Sequence, residues 1–325
     1  MLIQTVSIFE CAWCSHRLPN APTASTHDYT YRTCANTFHY YLCSNCQSLT
    51  LGNRPVESTL GLIYPSNYLT YDYKKQLGLS YVLKLLYNTF KSRLLVGKVF
   101  GNRKNMPDLS PATTNISILD VGCGGGDFIA ALKKAVTHGT NLKCAATGVD
   151  IVAPITDKLD ICIEADISVF DLSPNAYHII TCFQVLEHVA NPRDVLRKLV
   201  SSLRPGGALV IETPYYGSVD RIVFPNRMWS GWHAPRHWCI LSPSGLFAYV
   251  GCSNDLSIDM CFTPCPYMWI TNIRHSLGID ESTPLQSIIS VSNPLLVVFF
   301  TLIDYLLISL RLPTSNVQYC IRKSS

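Results

Sequence analysis

Charge is what this sequence has little of. Only 15% of its 325 residues are Asp, Glu, Lys or Arg, and 26 basic against 22 acidic side chains leave a formal balance of +4. So small a balance does not supply the electrostatic footprint of a nucleic-acid-binding chain. A hydrophobic content of 48% excludes a largely disordered one. The start, Met1 to Glu10, has no basic stretch leading into an apolar core, so no secretory signal is expected and the cytoplasm is the expected compartment. Acids are missing altogether between Tyr73 and Pro107, where eight basic residues stand. That run reads either as a solvated face or as attraction to an anionic substrate or membrane surface.

What is present is organised around Ile116 to Gly126, which reads I-S-I-L-D-V-G-C-G-G-G. Ile116, Ile118, Leu119 and Val121 have the pattern of a short strand buried on both faces. Gly122, Gly124 and Gly126 then fall at alternate positions, and Phe128 to Leu132 resumes with helix-forming character. A strand, a glycine turn and a helix let the backbone approach a ligand and aim unpaired N–H groups at its anionic end. A dinucleotide site would space its glycines G-x-G-x-x-G, whereas here the order is D-x-G-x-G-x-G, beginning at Asp120. That order resembles the first motif of the class I S-adenosylmethionine-dependent methyltransferases. The fold it implies is α/β, a Rossmann-like seven-stranded class I methyltransferase sheet.

Fourteen cysteines are not scarce, but most sit singly in apolar runs, where they behave as small buried hydrophobes. Four do not. Cys11-Ala-Trp-Cys14 and Cys43-Ser-Asn-Cys46 are two C-x-x-C knuckles separated by 28 residues. Two knuckles supply the four soft ligands of a tetrahedral structural zinc, with no coordination position left open. Two unrelated pairs or redox-active thiols are the alternatives, and Cys34 and His39 are spare ligands. Thr37 to Leu42 reads as a strand entering the second knuckle, so a hairpin accommodates the interval. Leu62 to Tyr68, with the order Y-P-S-N-Y, resembles the segment that follows the zinc ribbon in a bacterial subgroup of these methyltransferases. The expected division is a zinc ribbon over 1–60, a helical segment and linker over 61–115, and the methyltransferase domain over 116–325. In the helical segment Leu79, Val82, Leu83, Leu86, Phe90 and Leu94 recur at helical spacing, and Lys84, Lys91 and Lys98 share a stripe. Asn102 to Asn115, with two prolines, reads as the linker.

Beyond the glycines, Ala145 to Asp150 reads as a second strand ending in an acid, and Ile161 to Ile167 as a third carrying Asp166. The resemblance implies that Asp150 accepts the ribose hydroxyls and Asp166 the adenine amino group, with Ile151 and Ile167 flanking the ring. The interval between the two acids is short for a helix and contains Pro154. Tyr177 to Phe183 is a fourth strand, followed by Gln184-Val-Leu-Glu-His188-Val189, whose L-E-H-V run again resembles small-molecule methyltransferases. Gln184 is placed at the cofactor on that basis, and His178 stands where the family often has aspartate. Asp194 to Leu203 reads as a helix stopped by Arg204-Pro-Gly-Gly207. Ala208 to Thr213 is a fifth strand, and a sixth near 256–262 and a seventh at 316–321 complete the expected sheet; the resemblance implies that the seventh is antiparallel and inserted between the fifth and sixth.

Trp229 to Leu246, with W-H-A-P-R-H-W, resembles the substrate-side loop of the zinc-ribbon subgroup; a loop clamped by its own stacking is the alternative. Pro294 to Leu312, inside a hydrophobic helical insertion near 285–312, is almost wholly apolar around Asp304. A buried acid would make a crossing costly, so a helix buried in the protein or lying at a membrane interface is expected. The expected activity is methyl transfer from S-adenosylmethionine to a small polar acceptor, a sugar or nucleotide-linked sugar, with His188 as general base and His233 and His237 as alternates. A cofactor-binding, partner-docking module without catalysis is the rival from another class. A nucleic-acid methyltransferase is disfavoured, because amino-directed base methylases carry N/D-P-P-Y/F where this chain has Q-V-L-E-H. Peripheral membrane contact remains a further expectation.

Overall fold

A computed structural model describes residues 1–64, 68, 79–100, 115–140, 142–152, 157–224, 226–280 and 282–325. The linker expected from Asn102 lies outside the described residues except for Asn115, as do Pro65 to Asn67 of the tyrosine segment, and Pro154. In chain order the elements are β1 (Thr5–Ser7), β2 (Ala24–Thr26), β3 (Phe38–Leu42), β4 (Leu49–Leu51), β5 (Asn53–Pro55), α1 (Leu60–Ile63) and α2 (Leu79–Phe100). Then follow β6 (Asn115–Val121), α3 (Asp127–Thr140), β7 (Lys143–Asp150), β8 (Ile161–Glu164), β9 (Tyr177–Phe183), α4 (Pro192–Ser202) and β10 (Leu203–Pro214). The chain closes with α5 (Val219–Val223), β11 (Cys239–Ile240), α6 (Pro243–Gly251), β12 (Leu256–Thr263), α7 (Pro266–Leu277), α8 (Pro294–Ser309) and β13 (Asn316–Lys323).

Seven strands form one sheet in the order β12-β13-β10-β9-β6-β7-β8. β13 runs antiparallel to both its neighbours, β10 and β12, while the pairs from β10 to β8 are parallel. This is the expected arrangement, with the last strand inserted between the fifth and sixth. The third strand stops at Glu164, so Asp166 stands in the turn beyond it rather than at a strand end. The central strands need no polar face, since side chains from Ile116 to Val121 and from His178 to Cys182 are buried almost throughout.

The N-terminal unit does not stand apart. β2, β3 and β4 make an antiparallel sheet whose fourth strand is β11, contributed from the far side of the chain by the tryptophan-rich loop. The hairpin expected between the knuckles is therefore β2–β3. Trp13 Nε1 donates to Gly245 O at 3.1 Å, and a Cβ on Gly245 would press on the Trp13 ring. The four-cysteine end is thus seated on the start of α6.

Two helices depart from their sequence patterns. On α2 the apolar stripe is turned outward: Val82, Leu86, Phe90 and Leu94 are exposed, whereas Asn88, Ser92, Leu95 and Val99 are buried. The lysines face the domain instead. Lys91 Nζ lies 2.6 Å from Glu212 Oε2 and 3.9 Å from the Phe183 ring centroid, Lys84 meets Asp127 at 3.4 Å, and Lys98 reaches Gln318 at 3.3 Å. The basic stripe is neither a solvated face nor free for an anionic surface. On α8, Asp304 is fully buried, accepting from Trp269 Nε1 at 2.8 Å and Cys265 N at 2.7 Å, while Leu295, Phe299, Leu302 and Leu306 are exposed. The acid anchors this helix to α7, which explains its place in an apolar run. No helix among the described residues is long and apolar enough to cross a membrane.

Candidate active site

A cavity of about 710 Å³ opens at the carboxyl ends of the parallel strands, where ligands bind in open α/β sheets. One wall comes from the sheet: Val121, Gly122, Asp150, Ile151, Asp166 and Ile167. The other comes from the N-terminal unit and the loop, through Arg54, Glu57, Leu60, Tyr64, Tyr68 and Trp238. Phe183, Gln184, Val185 and His188 lie between the two.

The glycine turn is shaped by its backbone. Gly122, Gly124 and Gly126 all have positive φ, and a Cβ on Gly122 would run into the Val185 side chain. Gly124 N donates to Asp150 Oδ2 at 2.8 Å, and Val152 N to Oδ1 at 3.2 Å. Each carboxylate oxygen keeps a second lone pair for a ligand. Burial pushes the Asp150 carboxyl up, against these hydrogen bonds. Ile151, Ile167 and Asp166 share the same wall, with Asp166 Oδ1 accepting from Ser168 N at 2.7 Å. Asp120 lies beneath the turn, not on the cavity wall. Its Oδ1 accepts from Thr181 Oγ1 at 2.6 Å. Burial pushes its carboxyl up to about 7, with the Thr181 hydrogen bond and the Lys91 charge opposing. Gln184 lines the cavity, but its amide donates to Asn316 Oδ1 at 2.7 Å, which turns its N–H toward β13.

The three histidines converge. The ring centroids of His188 and His237 lie 4.7 Å apart, those of His233 and His237 5.0 Å, and those of His188 and His233 6.2 Å. His188 Nδ1 is 3.1 Å from Arg236 O and His237 Nδ1 is 2.8 Å from Gly231 O. A carbonyl only accepts, so both Nδ1 atoms carry the proton and both Nε2 atoms keep a lone pair. The Arg236 main-chain carbonyl sets the His188 tautomer. Burial depresses His188 to about 4 and pushes His233 and His237 well below the usual imidazole range. Glu187 is itself buried, and burial pushes its carboxyl up to about 8.

Arg236, also in the loop, does not face the cavity. Its guanidinium is fully buried on Asp28, with Ile63 O 2.7 Å away and the Tyr31 ring 4.5 Å below it. Trp229 and Trp232 are core residues and, with Arg236, clamp the loop; of its side chains Trp238 lines the cavity, while His233 and His237 pack beside His188 and are not among the lining residues. Tyr64, Tyr68 and Arg54 were given no role by the sequence. The tyrosine spacing was the available signal for two of them, and Tyr64 OH lies 3.4 Å from His188 Nδ1. Arg54, stacked at 4.8 Å on Trp238, carried no signal.

At the other end of the N-terminal unit, Cys11, Cys14, Cys43 and Cys46 bring their sulfurs within 4.8 Å of one another. The closest pairs are Cys11–Cys46 at 3.5 Å and Cys14–Cys43 at 3.6 Å. Tetrahedral zinc with Zn–S bonds of about 2.3 Å places its sulfurs roughly 3.8 Å apart, so the set fits that ion. Cys34 and His39 stand outside the cluster.

Residues 98–248 match a family model described as a methyltransferase domain. The matched stretch, a little under half of the chain, resembles a methyltransferase domain. Among curated proteins, this domain resembles the ubiquinone biosynthesis O-methyltransferase of Coxiella burnetii, 34% identical over 106 residues, covering 30% of this chain and 42% of that protein. The protein of the same description from Aeromonas salmonicida is 31% identical over 100 residues, with the same coverage. The chain thus spans about two-fifths of the length of these relatives. Among solved structures, the plantazolicin methyltransferase BpumL with a monoazolic desmethylPZN analog and SAH has a TM-score of 0.41 at 17% identity, covering 75% of this chain and 90% of that one. An S-adenosylmethionine-dependent methyltransferase from Archaeoglobus fulgidus has a TM-score of 0.39 at 19% identity, covering 74% and 99%.

Proposed function

We propose that this chain transfers a methyl group from S-adenosylmethionine to a hydroxyl of a small acceptor. The observation that carries the reading is the shared cavity: Asp150, Asp166 and the glycine turn on one wall, His188 between the walls, and an aromatic second wall from another part of the chain. Asp150 would hold the ribose, while Asp166, Ile151 and Ile167 would hold the adenine. The acceptor would sit against Tyr64, Tyr68 and Trp238. Its oxygen attacks the methyl carbon, the carbon–sulfur bond breaks with its electron pair left on sulfur, and the hydroxyl proton leaves at the histidine cluster. Alignment of donor and acceptor can supply several kcal/mol of the barrier. The four cysteines would hold a structural zinc that fixes the ribbon behind this second wall.

The resemblance of the ribbon, tyrosine segment and loop to the zinc-ribbon subgroup supports a sugar or nucleotide-linked sugar as acceptor. A second reading is favoured by the largely apolar lining of Val6, Leu60, Val189 and Phe183 and by the exposed apolar faces of α2 and α8, two helices that approach each other. On that reading the acceptor is a lipid-soluble phenol and the enzyme rests on a membrane surface. Incubation with methyl-labelled S-adenosylmethionine and two acceptor sets, nucleotide sugars and catechol-type phenols, tests both. Label in neither product, with the cofactor demonstrably bound, would leave a binding module and end the catalytic reading. His188→Ala should lower turnover by roughly 10²–10⁴-fold with donor affinity nearly unchanged. If His188→Ala keeps its turnover while His233→Ala loses it, the proton leaves to the loop.

A further inference from the structure

Behind the cavity wall at His188 lies a second set of metal-type ligands, which the four-cysteine site does not include. A carboxylate oxygen of Glu187 and one ring nitrogen each of His188 and His237 lie within 4.8 Å of one another. Glu187 is fully buried, and its Oε1 has no hydrogen-bond partner. Its Oε2 accepts from the Thr213 hydroxyl at 3.5 Å. Among the described residues no lysine or arginine pairs with it, and the nearby Arg236 is turned away onto Asp28. A carboxyl buried without a partner either keeps its proton or takes a cation in its place.

Main-chain carbonyls fix the tautomers of both imidazoles. His188 and His237 each commit Nδ1 to a main-chain carbonyl, Arg236 O and Gly231 O, which leaves Nε2 as the available lone pair. Carbonyls in that position are what orients the imidazoles of metal centres. Two histidines and a carboxylate, with His188 on the cavity wall, make a three-ligand set with an open position. We propose that Glu187, His188 and His237 bind a divalent transition-metal ion of the zinc class, whose open position takes the acceptor's oxygen. This rests on the methyl-transfer reading and says how the acceptor's oxygen is activated: the bound ion would lower the hydroxyl's pKa, so that its proton leaves to water in the cavity as the oxygen takes the methyl group.

The test loads the full-length chain with zinc and with cobalt(II), after stripping weakly held metal. Wild type should saturate at two equivalents. One should show the thiolate-to-cobalt absorption of the four cysteines, the other only the weaker bands of nitrogen and oxygen ligation. Glu187→Gln, nearly isosteric, should weaken the second equivalent by at least 100-fold and keep the first. His237→Asn should do the same and serves in its place if far-UV circular dichroism shows Glu187→Gln unfolded. Saturation of wild type at one equivalent overturns the proposal, and so does a second equivalent that survives in both variants. Calorimetry with S-adenosylmethionine on the same samples separates the two readings. Cofactor binding without a second metal sinks only the metal site, whereas a second metal without cofactor binding sinks the methyl-transfer reading.

Discussion

Arg236 and Asp28 are 208 residues apart in the chain, yet their side chains meet as a fully buried two-pronged pair, Nη1 to Oδ1 at 3.0 Å and Nη2 to Oδ2 at 3.1 Å. The pair ties the tryptophan-rich loop to the N-terminal unit, and with it the main-chain carbonyl that orients His188. Burial alone would raise the Asp28 carboxyl, but the Arg236 hydrogen bonds and charge, with Thr33, hold it below the usual carboxylate range. Asp28→Ala should therefore leave an uncompensated guanidinium and cost about 3–5 kcal/mol. Urea denaturation measures this, and a loss below about 1 kcal/mol would mean that the loop is held by its tryptophans alone. In wild type this contribution is present above the ordinary aspartate pKa and is lost as pH falls through the depressed one.

Asp150→Ala should weaken S-adenosylmethionine binding by roughly 1.5–3 kcal/mol, through loss of charge-assisted contacts to the ribose. Titration calorimetry on the two proteins decides it, and equal affinities would remove Asp150 from the donor site.

Asp120 makes stability fall with pH. Its carboxyl is raised in the folded chain to about 7, so its favourable contribution is complete below the unfolded value near 3.8 and is lost as pH rises through 7. The local slope is at most roughly 1.4 kcal/mol per pH unit between those values. Asp120→Asn should remove that part of the slope in unfolding curves taken from about pH 5 to 8. Parallel profiles for variant and wild type would show that the acid is ionised throughout.

Protein purified without chelator should hold zinc at the four cysteines, and Cys43→Ser should lose it. The N-terminal unit should then become protease-sensitive before the seven-stranded sheet does. Elemental analysis that finds no thiolate-bound metal in wild type would count against the ribbon.

The exposed apolar faces of α2 and α8 predict sedimentation with phospholipid vesicles. Since Lys84, Lys91 and Lys98 are occupied within the domain, that binding should change little between low and moderate salt. Leu302→Asp with Phe299→Asp should abolish it. Wild type that stays in the supernatant at every salt concentration would leave these faces without a membrane role.

The sequence by itself determined the elements whose signals are local. Ile116 to Gly126 announces strand, turn and helix because alternation, apolar runs and glycines act within a few residues. The two C-x-x-C pairs announce four clustered thiols because a knuckle constrains both of its sulfurs. The seven strands were legible for the same reason, whereas the antiparallel direction of the last, Asn316–Lys323, was implied only by the family resemblance. Which way α2 faces was decided only in the tertiary structure. Helical spacing shows that an apolar stripe exists, but the side that packs inward depends on partners such as Glu212 and Asp127, distant in sequence. His188 and His237 likewise signal nothing of each other from 49 positions apart. They meet because β11 is drawn into the N-terminal sheet beside β4, and because the buried Arg236–Asp28 pair leaves the loop no other place to lie.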